Sequence, residues 1–443
     1  MTRNSTLIEY NIRDSTGTKR KVKLYTKDRK DSFFSYSLLQ VIVKLSLFLK
    51  RNFQSIRVSV LGNVLRRLFL PSGYPDSVTE DYANFERWDA LQGLCSYLRQ
   101  VMVTRSTLSG LGVGNNFAHP TAAALMLLWR EGFGVVGGLL FTWGKSSRFD
   151  KDSKSWRLFA DVINNVALTM EWTAPLFPTS VFFALHSSAN IFHSLCGIAG
   201  GATSTAFQAH FAKRNNIADI CSKHGNIGRA VSLVGLLLST LCFWSSSWLE
   251  NSLPFSFGVF CFLTVFHIYF NVLALRSLHL ACLNKERGYI IAEHYIRHKQ
   301  LLDVASVSTK ERFWRPLLNS RMRVGCSLLD APVLVQEALI NREYETGISG
   351  EFLIQKLFKG RISIVEHRRK RQYKMYIHEQ AIAKEIWIGF VVMTAMSKGQ
   401  RNYILDQLYS ITLQLTELGW QIDDELDLGD EGWRICDSKV KDL

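Results

Sequence analysis

The residues best suited to chemistry are Asp76, Arg99, Arg157, Asp161, Arg214, Asn215, Asn216 and Asp219, each set in a stretch otherwise built from apolar or small residues. Ionisable groups in such surroundings must be paired or hydrated. Arginine grips a carboxylate or phosphate through two parallel hydrogen bonds, so the set reads as a candidate polar centre for a small anionic ligand. Arg157 and Asp161 are i and i+4 on a helix expected over 156–170, with Asn164 and Asn165 one turn on. The run Lys213 to Asp219 directly follows a small-residue helix. The alternative is a set of structural salt bridges and helix caps. Ser77 before Glu80 already has the form of a capping box.

Catalytic arrangements are missing from the sequence. It has no GxSxG elbow, no P-loop and no HExxH, and none of its 8 cysteines forms a CxxC pair. The reading is therefore non-enzymatic, with no catalytic, cofactor-binding or metal-ligating residues assigned and no cofactor beyond an unknown small anion. His193, His267 and His279 read as hydrogen-bonded core residues. Cys242 and Cys261 read as small apolar side chains. A GxGxxG does occur at Gly132, Gly134 and Gly137, but the preceding Ala122–Arg130 reads as helix where a dinucleotide site needs a strand. The same glycines contain Gly134-x-x-x-Gly138, a spacing that lets helices approach closely, as do Gly110 with Gly114 and Gly197 with Gly201.

The elements that must position these residues follow from where charge is absent. Trp172–Ala212, Ala230–Leu249 and Asn251–Leu275 contain no Asp, Glu, Lys or Arg. The last two are long enough to cross ~30 Å of hydrocarbon as helices. They read as a helical hairpin turning at Glu250, with basic flanks at Lys213, Arg214, Arg276 and Lys285 that place both ends on the cytoplasmic side or its equivalent. The first stretch is broken by Pro175 and Pro178 and is rich in small residues, which suits a helix packed against others.

The 443 residues carry a net charge of +15, with 21% charged and 12% aromatic residues. That excludes a disordered tail, a collagen-like fibre and a long coiled coil. Residues 1–57 form a basic lead-in with nine Lys/Arg against three acids in the first 30. A β-hairpin is expected from alternating Ile8, Tyr10 and Ile12 and from Val22 and Leu24, then an amphipathic helix over 38–51. Residues 58–300 form a helical body containing the hydrophobic hairpin 230–275. Residues 301–443 form a smaller α+β domain. There, strands at 362–364 and 375–377 flank a basic turn, helices follow over 381–396 and 403–418, Gly419 stops the second, and 433–436 forms a closing strand. The fold class is mainly α, a multi-helix, membrane-inserted body with a C-terminal α+β domain. The polar start shows neither a signal peptide nor a plastid transit peptide.

A family resemblance rests on the same polar stretches. Gly73–Tyr82, Trp88–Gln92 with Ser96–Arg99, Trp156–Asp161, Gly197–Thr203 and Arg214–Asp219 match, in order, motifs of the root UVB sensitive (RUS) family over roughly 60–280. The resemblance implies a mostly helical membrane protein with no established enzymatic activity, tied in plants to UV-B responses, root development, auxin transport and vitamin B6 balance. It implies no ligand residues. The expectation is an intracellular membrane protein carrying or sensing a small anionic metabolite. Its partners would be the lipid membrane and a protein, a family member or a soluble enzyme, with no nucleic acid. The alternative is a membrane-anchored scaffold whose C-terminal domain binds a partner through the basic strip His367–Lys374.

Overall fold

Alternating apolar residues produce the hairpin their period predicts. Strand β1 (Thr6–Arg13) pairs antiparallel with β2 (Lys19–Thr26), setting Ile8 opposite Leu24 and Tyr10 opposite Val22. The computed structural model describes residues 6–13, 19–26, 58–112, 120–145, 149, 152–245, 252–312, 321–340, 346–349, 351–400, 405–422, 428 and 433–436. The helix expected over 38–51 lies outside them. The chain divides into two compact units, 1–66 and 67–443, with the boundary inside helix α1 (Val58–Phe69).

Six long helices build the body: α2 (Tyr82–Gly110), α3 (Pro120–Lys145), α4 (Ser153–Thr173), α5 (Thr179–Phe211), α6 (Ile217–Ser245) and α7 (Leu253–Ser277). Helices α2 and α4 carry the charged residues and pack on each other. Helices α6 and α7 each lie along α2, and α5 lies along both α4 and α3. The hydrophobic hairpin is thus opened by α2, because its two helices pack mainly on that helix and not on one another. Four helices are long and apolar enough to cross a membrane: Ala123–Trp143, Thr179–Phe211, Ile217–Cys242 and Leu253–Ser277. The first escapes a search for charge-free runs because Arg130 and Glu131 interrupt it.

Glycine sets the α3–α5 approach. A Cβ on Gly134 would lie 2.4 Å from Asn190 Nδ2, and one on Gly137 would lie 2.6 Å from Ile191 Cγ2. Two glycines of the GxGxxG, Gly134 and Gly137, thus form a helix-packing seam, in line with the helical reading of Ala122–Arg130, while Gly132 faces open space. Gly110 meets Phe182 in the same way, whereas Gly197 and Gly201 face open space. The capping box expected at Ser77 is not made. Helix α2 starts at Tyr82 with Asp81 at its N-cap, and Ser77 is buried in the turn before it.

Beyond the body come α8 (Lys285–His298), α9 (Val304–Lys310), β3 (Met322–Val324), α10 (Val333–Ile340), β4 (Thr346–Ser349), β5 (Phe352–Leu357), β6 (Ile362–His367), β7 (Gln372–Ile377), α11 (Ala383–Ser397) and α12 (Leu405–Glu417). The sheet order is β3-β7-β6-β5-β4, antiparallel except for β3 beside β7. Helix α11 buries Trp387, Ile388 and Val391 over Ile362, Ile364 and Met375. That core also takes in Leu283, Ile291 and Ala292, so it draws on residues upstream of 301. Gly419 ends α12 at φ 89°, a left-handed conformation that glycine adopts at no steric cost. The expected closing strand is reduced to one bridge, Ile435 beside His378.

Candidate functional site

Arg99, Arg157 and Asp161 come together where α2, α4 and α7 meet. Arg157 bridges Asp89 at 3.0 Å and Asp161 at 3.2 Å, the second pair being the i,i+4 contact expected from sequence. Asn271 on α7 donates to Asp161, His267 approaches the same carboxylate at 3.8 Å, and Gln92 lies 3.3 Å from His267. Arg99 is fully buried. It donates to Asn165 Oδ1 and, at 3.4 Å, to Thr264. Its Nε and Nη2, and Asn165 Nδ2, are buried donors with no hydrogen-bond partner. No carboxylate lies within ion-pair distance of Arg99 among the described residues, and Asp161 acts on its charge only from farther off.

A second buried cluster continues along α4. Glu171 accepts from Arg130 at 2.7 Å and lies 3.1 Å from His193 Nε2, whose Nδ1 is 3.0 Å from Asn164. Helix α4 therefore carries one polar line, Arg157–Asp161–Asn164/Asn165–Glu171, through the middle of the body. Beside it, between α2 and α6, runs a groove of about 410 Å³ lined by Asp89, Ser96, Gln100, His224 and Ser232. It is continued by a wholly apolar hollow of about 350 Å³ against Leu91, Leu94 and Val234. His224 is anchored there by buried Glu86 at 3.0 Å.

The other sequence candidates lie elsewhere, at the loops flanking α2 and α6. Asp76 is exposed. Asp219 Oδ2 accepts from the Ser72 amide at 2.6 Å and Oδ1 lies 3.6 Å from Lys223. The Arg214 guanidinium sits beside Gly73. Asn215 takes a left-handed φ of 52°, which asparagine tolerates better than most residues. Asn216 precedes α6 and accepts from the Arg214 amide at 3.3 Å. Among the described residues no hydrogen bond or ion pair joins these residues to Arg99. Arg214, Asn216 and Asp219 instead meet the connection before α2 and the start of α6.

Two buried clusters outside the sequence candidates tie the ends of the body together. Asp81 lies 2.9 Å from His210 Nε2 at the end of α5 and accepts from the His279 amide at 2.7 Å after α7. Burial alone would raise its carboxyl, but His210 and these hydrogen bonds bring it down to about 2. Farther on, Lys154 at the start of α4 meets Glu311 at 2.8 Å, and Arg287 on α8 meets the other oxygen of Glu311 at 2.9 Å. Lys154 also donates to the Leu278 carbonyl at 2.8 Å and to Ser308 at 3.0 Å. Burial would raise Glu311, but Arg287 and Lys154 outweigh it and hold the carboxyl below its ordinary value. The polar residues of α7 had a readable signal, since Thr264, His267 and Asn271 recur at helical spacing in an apolar run. The Lys154–Glu311–Arg287 triad had none, as its members are scattered along the chain.

Comparison with known proteins agrees with the motifs. Residues 56–299 match the family described as the vitamin B6 photo-protection and homoeostasis domain. RUS family member 1 of Dictyostelium discoideum is 37% identical over 298 residues, covering 67% of this chain and 55% of that protein. Protein root UVB sensitive 3 of Arabidopsis thaliana is 34% identical over 339 residues, covering 73% of this chain and 76% of that protein. The match thus spans about half of the first relative and three quarters of the second. No solved structure matches. With the family domain covering more than half of its length and the polar motifs of α2, α4 and the α5–α6 loop in place, the chain belongs to the root UVB sensitive family.

Proposed function

We propose that the body is a non-enzymatic, membrane-embedded carrier or sensor that takes a small anionic metabolite at Arg99. The observation that carries the ligand is the buried Arg99 guanidinium, with no carboxylate in ion-pair reach and with Nε, Nη2 and Asn165 Nδ2 all lacking acceptors. A phosphate or carboxylate supplies both the direct ion pair and the acceptors that Arg99 lacks.

Membrane residence is supported by the outward faces of three of the four apolar helices, α3, α6 and α7. Leu128, Trp129, Leu139, Leu237, Leu241 and Val265 are exposed, far more apolar surface than a soluble protein leaves bare. The polar helices α2 and α4 are 29 and 21 residues long, enough to cross in the shelter of the others. Six crossings put Lys213, Arg214 and Lys285 on one side. The opposite connections, 111–119, 174–178 and 246–252, contain no Lys or Arg, as the positive-inside rule requires. Contacts between helix ends fit that order. Asp81 with His210 and Lys154 with Leu278 belong to the basic side, and Ser106 with Trp172 and Gly110 with Phe182 belong to the other.

The description of the family as a vitamin B6 photo-protection and homoeostasis domain makes vitamin B6 compounds the first ligands to try, and pyridoxal 5′-phosphate is anionic. The test is equilibrium binding of pyridoxal 5′-phosphate to the full chain in lipid nanodiscs. Wild type and Arg99→Lys should bind, and Arg99→Gln should lose binding while keeping its unfolding temperature. Binding unchanged in Arg99→Gln, or no binding by wild type, rejects the assignment. A scaffold reading has its own support in the exposed basic turn at 368–371, and there a soluble partner would be retained by Arg99→Gln.

A further inference from the structure

The C-terminal α+β region carries a surface that neither the ligand site nor its own core accounts for. Leu329, Val333 and Leu334 stand 83%, 67% and 63% exposed on the short segment leading into α10. Three large apolar side chains so close together and so bare are costly in water. Cations rim them. Lys374 Nζ donates to the Asp330 carbonyl at 3.2 Å, and Arg323 lies 3.7 Å from the Asp330 carboxylate. Lys370 shares with Asp330 and Pro332 the lining of a cavity of about 220 Å³. Exposed Trp433 is attached to the same edge, its amide donating to the Gly325 carbonyl at 3.1 Å. Of the acids nearby, the Asp330 carboxylate faces Arg323, Glu351 is taken by Arg369 at 2.8 Å, and Glu337 is exposed on α10 one turn from Val333, so Lys370, Lys374 and Arg323 outnumber Asp330 and Glu337 around the apolar residues.

We infer that this face docks on an anionic bilayer surface. Leu329, Val333 and Leu334 enter the boundary between headgroups and acyl chains, and Lys370, Lys374 and Arg323 meet lipid phosphates or carboxylates. Charge complementarity decides for lipid: an apolar wedge ringed by Lys and Arg is the pattern of interfacial membrane attachment. The basic side of the six-helix body is also the side from which this region continues after α7, and it corresponds to the leaflet rich in anionic lipid. The inference rests on the body lying in a bilayer but not on any ligand at Arg99.

The test reconstitutes the full chain into phosphatidylcholine vesicles with or without phosphatidylserine. An environment-sensitive dye is attached through Val333→Cys in a Cys242→Ser, Cys436→Ser background, and the same background retaining Val333 is subtracted. Blue-shifted emission and quenching by nitroxide lipid are expected with phosphatidylserine, and both should revert in Lys370→Glu/Lys374→Glu. A dye that stays aqueous, or one shifted equally in uncharged vesicles and unaffected by charge reversal, overturns the inference. So does shielding that appears only on adding a soluble protein extract. Flotation of the unlabelled chain with the same vesicles separates failure of this contact from failure of the body to embed.

Discussion

Replacing Glu311 by glutamine should destabilise the fold more than any other single loss of charge in the chain. Glu311 is the carboxylate shared by Lys154 and Arg287, and all three side chains are almost wholly buried. Glu311→Gln leaves two buried cations facing each other without a counter-charge. Removing one partner of a buried pair costs about 3–5 kcal/mol, a large part of a typical stability of about 5–15 kcal/mol. Lys154→Met should cost clearly less, because Arg287 and Glu311 remain paired. The assay is unfolding of the purified chain in mild detergent, followed by tryptophan fluorescence. The pH dependence gives a second reading. Glu311 is depressed when folded, so its contribution is present above 4.5 and is lost as pH falls below that value. The reasoning fails if Glu311→Gln is less damaging than Lys154→Met.

Other outcomes follow from the same geometry. Gly132→Ala, with open space around it, should stabilise α3 by up to about 1 kcal/mol, whereas Gly134→Ala drives a Cβ to 2.4 Å from Asn190 and should cost about 1–3 kcal/mol in thermal unfolding. Equal effects would refute the α3–α5 seam. Asp81→Asn should remove on the order of 2 kcal/mol that wild type holds above pH 3.8 and loses as pH falls toward about 2; an unchanged acid limb in urea titrations would count against the His210 contact. Truncation after residue 300 should fail to give a folded body, because it removes Glu311 and uncovers Leu283 and Ile291; a monodisperse truncated chain with native helicity contradicts this.

Much of this fold was legible because periodicity is local. Ile8, Tyr10 and Ile12 set the hairpin, Arg157 and Asp161 found each other one helical turn apart, and Gly134 and Gly138 marked a close helix contact. The candidate site was legible only in part. Asp76, Arg214, Asn215, Asn216 and Asp219 were as polar and as oddly placed as Arg99, yet they stand at the connection before α2 and around the start of α6, apart from it, because sequence reports that a charge must be satisfied but not by what. The partners of Arg99 and Lys154 lie 66 and 157 positions away, at Asn165 and Glu311, distances at which no periodicity carries information. The span at 123–143 was hidden for a related reason: Arg130 looks prohibitive in lipid until Glu171 is brought to 2.7 Å from it.

The central claim is that six helices cross the bilayer, with polar α2 and α4 sheltered inside. The most direct test is carbonate extraction combined with protease accessibility of short tags placed in 146–148, 212–216 and after 443, and in 113–119 and 246–251. Retention in the pellet is predicted, with the first three tags cut from the basic side and the last two only from the opposite side. Release by carbonate, or cleavage of all five tags from one side, would contradict the account.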